Sequence, residues 1–393
     1  MKERYTVNPF PELVLTDVDR ASLQDLANAY IMTNLELCMN FMNSGRRVDS
    51  RRWKPLKERK GLKIYSERAE GVGFATADEA TGAGLPTILC VGTKEGKLDD
   101  LMFGIISEDL ETMRMKASYA DSFSAAAVLD GVVMPSLEDP FRSLVVKWME
   151  LDIPFNSTGL IKNRDYIYLE GIGIVKNAAG ERFGYSLLHS VDFPQTHPLP
   201  NRIRGNISFI AYWREVGNNT MEMYATGIID PVDGGSLIRK LVLPVVATLF
   251  LGSLDYVYCG QMRKLSYMLE RRYAESKTRG APNKQSTCVT CSAPITGRRL
   301  GDFGKSNSTC KLCFGFVCHA CKIVRKLSFV DPDLQMTQRK VTFCTKCMSE
   351  VTSLSALDIA RAKQLAIQNG VNSSGATGYT STSNMSDMSY CSQ

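Results

Sequence analysis

The chain has 393 residues, 44% apolar and 22% charged, with a net charge of +6, which suits one large domain beside a small one. Its main apolar run, residues 241–254, contains Pro244 and Gly252 and falls short of the roughly 18 residues a membrane-spanning helix needs. The positive charge is local, because residues 276–350 hold 13 Lys+Arg against 4 Asp+Glu and the remainder holds 34 against 37. A basic segment beside a near-neutral body suits acidic headgroups, nucleic acid or an acidic partner, and equally suits neutralisation of a thiolate-rich core.

Residues 1–15 read as an extended lead-in. Residues 1–11 lack the apolar core of a secretory leader, so a cytoplasmic chain with reduced thiols is expected. Asp17 or Asp19 is placed to cap a helix over residues 20–43. There Leu23, Leu26, Ala27, Tyr30, Ile31, Leu35, Cys38, Phe41 and Met42 recur at helical spacing, and this stripe is expected to dock within the chain. Residues 46–60 are basic and polar and read as a linker or loop.

From residue 61 the pattern turns to short alternating segments. Residues 62–65, 87–91, 164–172, 182–193, 203–213 and 220–229 read as strands, with helices over 97–107 and 108–120. Phe183, Tyr185, Leu187, His189, Val191 and Phe193 share one side of their strand, as in an antiparallel sheet with one covered face. Residues 236–274 read as a long final element, apolar first and charged later, with Pro244 kinking it or marking its first turn. Residues 275–285 read as a polar hinge with Gly280 and Pro282, residues 349–368 as one helix, and residues 369–393 as a disordered Ser/Thr/Asn/Gly tail.

Eight of the twelve cysteines form four Cys-x-x-Cys pairs: Cys288/Cys291, Cys310/Cys313, Cys318/Cys321 and Cys344/Cys347. Two thiolates so spaced reach one tetrahedral ion at about 2.3 Å, and eight ligands suffice for two closed zinc sites, structural rather than catalytic. The competing reading, a disulfide framework, requires a secreted chain. His319 lies inside an already complete pair and reads as a neighbouring or surface residue.

Enzyme motifs fail. Gly184, Tyr185 and Ser186 start like a nucleophile elbow but lack its second glycine, and Gly71/Gly73 and Gly171/Gly173 lack the third glycine of a dinucleotide loop. No Gly-x-x-x-x-Gly-Lys-Ser/Thr run occurs, and only His189, His197 and His319 are present. No enzyme activity is expected.

Arg164 to Tyr168, the strand carrying His189 to Val191, Arg202 to Gly205 and Ile229 to Gly235 stand in an order that resembles the START family over residues 56–275. The resemblance implies an α+β helix-grip fold, a curved antiparallel sheet around a long C-terminal helix, enclosing a lipid-sized cavity that opens when the helix lifts. Candidates for the cavity's polar groups are Tyr166, His189, Arg204 and Trp213. The cysteine-rich segment is similar to FYVE and FYVE-related fingers. Only Phe314, Gly315, Phe316 and Val317 separate its second and third pairs, and its last pair follows a longer basic and apolar stretch. That resemblance implies a small cross-brace finger with two Zn2+, the first on Cys288, Cys291, Cys318 and Cys321, the second on Cys310, Cys313, Cys344 and Cys347. Lys305, Lys311, Arg339 and Lys340 are the candidates for headgroup or anion contacts. Ser306, Asn307, Ser308 and Thr309 stand where phosphoinositide-reading members carry a basic run, which argues against phosphatidylinositol 3-phosphate.

The expected organisation is an N-terminal helical segment 1–55, a START-like domain 56–275, a linker 276–286, a FYVE-related finger 287–350, a short helix 351–368 and a tail 369–393. The expected function is non-enzymatic lipid or sterol binding, with docking on an acidic membrane (endosomal or other) or on a protein partner. The alternative is an adaptor whose folds bind proteins and no lipid. Nucleic acid is not expected, because the finger lacks a recognition-helix pattern and interleaved aromatics.

Overall fold

The computed structural model describes residues 8–68, 87–120, 125–151, 162–230, 247, 250–281, 285–294, 308–331 and 335–370. The chain divides into two compact units, Met1–Val257 and Tyr258–Gln393, each taken by itself below. The expected α+β class is the one observed: a large antiparallel sheet, a long helix after it in sequence, and a small module with two four-cysteine clusters.

The first unit begins with helix α1 (Asp17–Asn43). Its N-cap is Thr16 rather than either aspartate. The Asp19 N–H donates to the Thr16 hydroxyl at 3.1 Å, and the Thr16 N–H donates back to the Asp19 carboxylate at 2.9 Å, a reciprocal capping box. Leu23, Ala27, Ile31, Leu35, Cys38 and Met42 form its buried stripe. This stripe joins a core that includes Val146, Trp148, Ile167, Leu169, Phe183, Tyr185, Leu187 and Tyr212 from the sheet. Each large aliphatic side chain buried there contributes about 1.5–3 kcal/mol. The Tyr212 hydroxyl donates to the Ile31 carbonyl at 2.5 Å, and Arg20 pairs with Asp130 at 2.9 Å.

The strands are β1 (Trp53–Arg59), β2 (Leu62–Glu67), β3 (Thr87–Glu95), β4 (Ala125–Val133), β5 (Ser143–Leu151), β6 (Asn163–Lys176), β7 (Arg182–Ser190), β8 (Arg202–Arg204), β9 (Asn206–Gly217) and β10 (Thr220–Asp230). They form one sheet in the order β1-β2-β3-β10-β9-β7-β6-β5-β4, antiparallel throughout, with β8 pairing parallel to β6. Tight turns set the hairpins: Lys60 and Gly61 (φ 47 and 85) join β1 to β2, and Asn218 and Asn219 (φ 50 and 55) join β9 to β10. The segment expected as a linker thus contains β1, an edge strand that the pattern hides. It is exposed along nearly its whole length, and Pro55 sits at its register irregularity.

Both faces of the sheet are covered, where alternation predicted one. On the face opposite α1, helix α2 (Leu98–Ile105) lies against β7 at Gly184, where an added Cβ would meet Met102 Sδ at 2.6 Å and Leu98 Cδ1 at 2.8 Å. Helix α3 (Leu110–Tyr119) follows, started by an Asp109 cap that accepts the Thr112 N–H at 2.7 Å. Pro244 and residues 231–235, the remainder of the motif that opens at Ile229, lie outside the described residues.

The second unit contains most of helix α4 (Tyr256–Arg279), strands β11 (Ser308–Thr309), β12 (Phe316–Val317), β13 (Lys322–Val330) and β14 (Met336–Cys344), and helices α5 (Thr345–Ser353) and α6 (Ala356–Gln368). Helix α4 continues to Arg279, into the expected hinge, and Gly280 (φ 75) follows it. The single helix expected over 349–368 is two helices. Leu354 leaves helical geometry, and the Ser355 hydroxyl then accepts the Asp358 N–H at 3.1 Å to start α6. Lys264, fully buried on α4, donates to the Thr352 and Leu354 carbonyls at 2.8 and 3.0 Å, an ammonium at a helix C-terminus. The expected tail, from residue 371 onward, lies outside the described residues.

Candidate functional site

Opposite α1, the sheet walls a cavity of ≈ 100 Å³. Met149 and Leu151 come from β5, Tyr168 from β6, Leu188 from β7, Phe209 and Trp213 from β9, and Met223 from β10. Phe250, Ser253 and Tyr256 close it from the segment that leads into α4. The charged groups among its described lining residues are Lys116 of α3 and Glu170 of β6. Glu170 pairs with Lys116 at 3.2 Å and with Lys147 of β5, and accepts the Ser107 hydroxyl at 3.1 Å. Lys147 also donates to the Ser107 carbonyl at 2.5 Å and to its Oγ at 2.9 Å.

An unpaired ion here would cost several kcal/mol, so the cluster holds its charges only because each is paired and hydrogen-bonded. Burial alone pushes the Glu170 carboxyl up, but the Lys116 and Lys147 ammoniums reverse this and hold it at about 2. For Lys147 burial wins: its ammonium stays below the usual lysine range despite the pull of Glu170 and Glu108. The same contact therefore favours the charged carboxylate and fails to compensate the buried ammonium fully. The charged pair is the state that the geometry supports, since both partners have hydrogen-bond donors or acceptors in place. In chemical terms the described lining is mainly apolar with an ionic focus at Lys116 and Glu170, able to hydrogen-bond and orient the polar end of an otherwise apolar molecule.

Of the residues named from sequence, Trp213 lines this cavity. Tyr166 is fully buried on β6 but is not among the lining residues, and its hydroxyl has no hydrogen-bond partner among the described residues. His189 lies on the α1 side. Its ring centroid is 4.1 Å from that of Tyr30, its Nδ1 is 3.0 Å from Ser208 Oγ, and burial lowers its pKa. Arg204 forks onto Asp165 Oδ2 at 2.9 and 3.1 Å, donates to the Thr196 carbonyl at 3.0 Å and stands 5.8 Å over the Phe10 ring. Its hydrogen bonds go to the protein. Sequence reasoning missed Lys116, Lys147 and Glu170. The available signal was a charge set inside an apolar strand run, Val145, Val146, Lys147, Trp148 and Met149, which calls for a buried partner.

In the second unit the eight paired cysteines gather in two clusters, Cys288, Cys291, Cys318 and Cys321, and Cys310, Cys313, Cys344 and Cys347. Within each, the sulfurs all lie within 4.8 Å of one another. Pairs one and three thus interleave with pairs two and four. Four ligands at about 2.3 Å from a tetrahedral ion stand about 3.8 Å apart. The Cys291–Cys318 and Cys313–Cys344 sulfurs are 3.8 and 3.9 Å apart. Such clusters fit a metal ion. Turn amides help to hold negative charge on sulfur, Cys318 N–H to Cys288 Sγ and Cys347 N–H to Cys344 Sγ, each at 3.4 Å. Burial pushes the Cys288 thiol up, but N–H donors from Cys318, Cys291 and Thr290 bring it down to about 6.

Of the four basic candidates, Arg339 and Lys340 lie on opposite faces of one hairpin. Lys340 is exposed on β14 opposite Lys326, and Arg339 points to the other face of the hairpin, 5.9 Å over the Phe329 ring. The Lys311 N–H donates to the Thr342 carbonyl at 3.0 Å. Lys305 lies outside the described residues. Among the described residues, no helix is long and apolar enough to cross a membrane.

No family model matches the chain, and no curated protein matches it. Among solved structures, human StAR-related lipid transfer protein 5 aligns with 61% of this chain and 98% of its own, at 12% identity and a TM-score of 0.42. Human STARD10 covers 62% of this chain and 82% of its own, at 15% identity and a TM-score of 0.35. A STAR-related lipid transfer protein fragment from Xanthomonas axonopodis covers 52% of this chain and 96% of its own, at 17% identity and a TM-score of 0.35. Each is a loose likeness.

Proposed function

We propose that the large unit is a START-like domain that binds a lipid or sterol without chemical conversion. The small unit is a FYVE-related finger holding two Zn2+ on its two four-cysteine clusters. It docks the chain on an acidic membrane or a protein partner at the cytoplasmic side. The observation that carries the first part is the apolar cavity whose charged groups, among the described lining residues, are Lys116 and Glu170. An apolar body and one polar end describe a lipid. Small-molecule pockets begin near about 300 Å³, and this one is ≈ 100 Å³. Ligand entry is therefore coupled to displacement of the segment carrying Phe250, Ser253 and Tyr256. The edge contact of Phe250 on Phe209, 5.0 Å between centroids, and the approach of Ser253 Oγ to Met223 Sδ at 3.6 Å are restored on closure.

The small volume also favours a second reading, an adaptor with a filled cavity that binds proteins only. Native mass spectrometry of the protein purified from cells, zinc retained, separates the two. The expected result is two zinc ions and a lipid-mass adduct that departs on unfolding and is lost in Glu170→Gln. Two zinc ions with no adduct, even after incubation with mixed lipids, decides for the adaptor. Fewer than two zinc ions overturns the finger.

A further inference from the structure

We propose that the open face of the β13–β14 hairpin, centred on Lys326 and Lys340, is a docking surface for membranes rich in anionic phospholipid such as phosphatidylserine. This rests on the docking role given above to the small unit, and names the side chains that perform it. In the hairpin register Lys322 stands opposite Cys344, Val324 opposite Thr342 and Lys326 opposite Lys340. Strand alternation puts these residues on one face. Leu327, Val341 and Phe343 occupy the other face and are buried, and on the proposed face Cys344 and Ser328 at its two ends are buried as well, so its open part is the stretch around Val324, Lys326 and Lys340. Lys326 and Lys340 are exposed, and Val324 between Lys322 and Lys326 is 40% exposed. Neither strand carries an aspartate or glutamate.

Two like charges directly opposite on an antiparallel pair repel one another, so the hairpin itself gains nothing from Lys326 and Lys340. Nor do the thiolates account for them. Lys322, paired in register with Cys344, is placed to balance that cluster. Lys326 lies four residues further along the strand, about 13 Å at the usual rise. That exceeds the screening length of about 8 Å at physiological ionic strength. Among the described residues neither lysine has an ion-pair partner, and on the proposed surface their charge is matched from outside. An exposed strand face with lysines flanking a valine suits an anionic surface, with the ammoniums at the phosphates and the valine against the glycerol region. Arg339, on the buried face, takes no part.

Vesicle sedimentation of the full-length, zinc-loaded chain tests this. The vesicles are phosphatidylcholine alone, with phosphatidylserine, and with phosphatidylinositol 3-phosphate at matched total charge. The chain is expected to partition onto both charged compositions alike, and the binding to fall steeply with added salt. Lys326→Gln and Lys340→Gln are each expected to lower partitioning roughly fivefold, and together about 25-fold, while Arg339→Gln leaves it unchanged. The double variant relieves a repulsion, so it is expected to retain two zinc ions in native mass spectrometry and a melting temperature no lower than the parent's. If the parent chain binds no vesicle, the docking role itself fails. If it binds charged vesicles and the double variant binds equally well, only the assignment to this face fails. A strong preference for phosphatidylinositol 3-phosphate at matched charge would replace the surface with a headgroup pocket. Binding to a duplex oligonucleotide with none to vesicles would replace the membrane with nucleic acid.

Discussion

The sheet unit buries Tyr168, Phe183, Tyr212 and Trp213 almost completely, whereas in the small unit strands β11 and β12 are two residues long and, among the described residues, the largest apolar side chain buried to the same degree is Phe343. One unit is closed by apolar area spread over many strands and a 27-residue helix. The other is drawn together at two points by sulfur. Short elements with few fully buried side chains do not offset the chain entropy of ordering them. On the proposed function, metal binding at the two cysteine clusters supplies the difference, and the two units are therefore expected to respond differently to the same perturbation.

Removing metal is the sharpest way to break the pair apart. A structural zinc contributes about 10–16 kcal/mol of apparent folding free energy, more than the entire stability of most domains. Chelation at neutral pH is expected to unfold β11 to β14 and leave the sheet unit's core intact. Hydrogen exchange read by mass spectrometry would show amides of residues 308–353 losing protection while those of β5, β6 and β7 keep theirs. Equal loss in both regions would mean that the units fold as one, and no loss in either would mean that sulfur is not what holds the small one.

The matching perturbation for the sheet unit is its ionic cluster, with a smaller effect. Glu170→Gln removes the acid that Lys116 and Lys147 share, leaving two buried ammoniums short of a counter-charge, at about 3–5 kcal/mol. The pH dependence follows from the direction of the shift. Glu170 sits at about 2 in the folded chain against an ordinary 4.5. Its contribution is thus fully present above the ordinary value and is lost as pH falls from about 4.5 towards 2. Urea unfolding of both proteins across that window should show their stability difference shrinking with acid. A difference independent of pH would mean that the carboxylate is not the stabilising species.

How legible each region was follows from the same contrast. The cysteine pairs are local in sequence: each is four residues long, so spacing alone exposed the eight from Cys288 to Cys347, while their grouping into two clusters came from the resemblance to cross-brace fingers. The alternating strands β7, β9 and β10 were legible for a similar reason, since period two marks a face. Three strands were not. β1 is basic and exposed, β4 opens with Ala125, Ala126 and Ala127, which carry little strand preference, and β5 is buried at every position, which erases alternation. The polar focus of the cavity depends on register. Lys147 is paired with Tyr168, which makes Glu170 its diagonal neighbour, and no reading of either strand alone supplies that pairing. His189 and Arg204 were assigned to the cavity from strand position without knowing which face α1 would cover.

The smallest effect tests how far the sheet unit relies on local signals at all. Thr16→Ala removes one half of the capping box of α1, and a lost cap costs about 1 kcal/mol. For a unit of this size that shifts the melting temperature by about 2–4 °C. Thr16→Ser is expected to restore it, because a hydroxyl at that position still accepts the Asp19 N–H. The helix itself should persist in the alanine variant, since the stripe from Leu23 to Met42 is docked over six buried positions and the cap touches none of them. Circular dichroism and a thermal melt of the three proteins decide it. A drop several times larger would mean that α1 depends on its cap to dock, and the unit would then share the small module's reliance on a few local contacts.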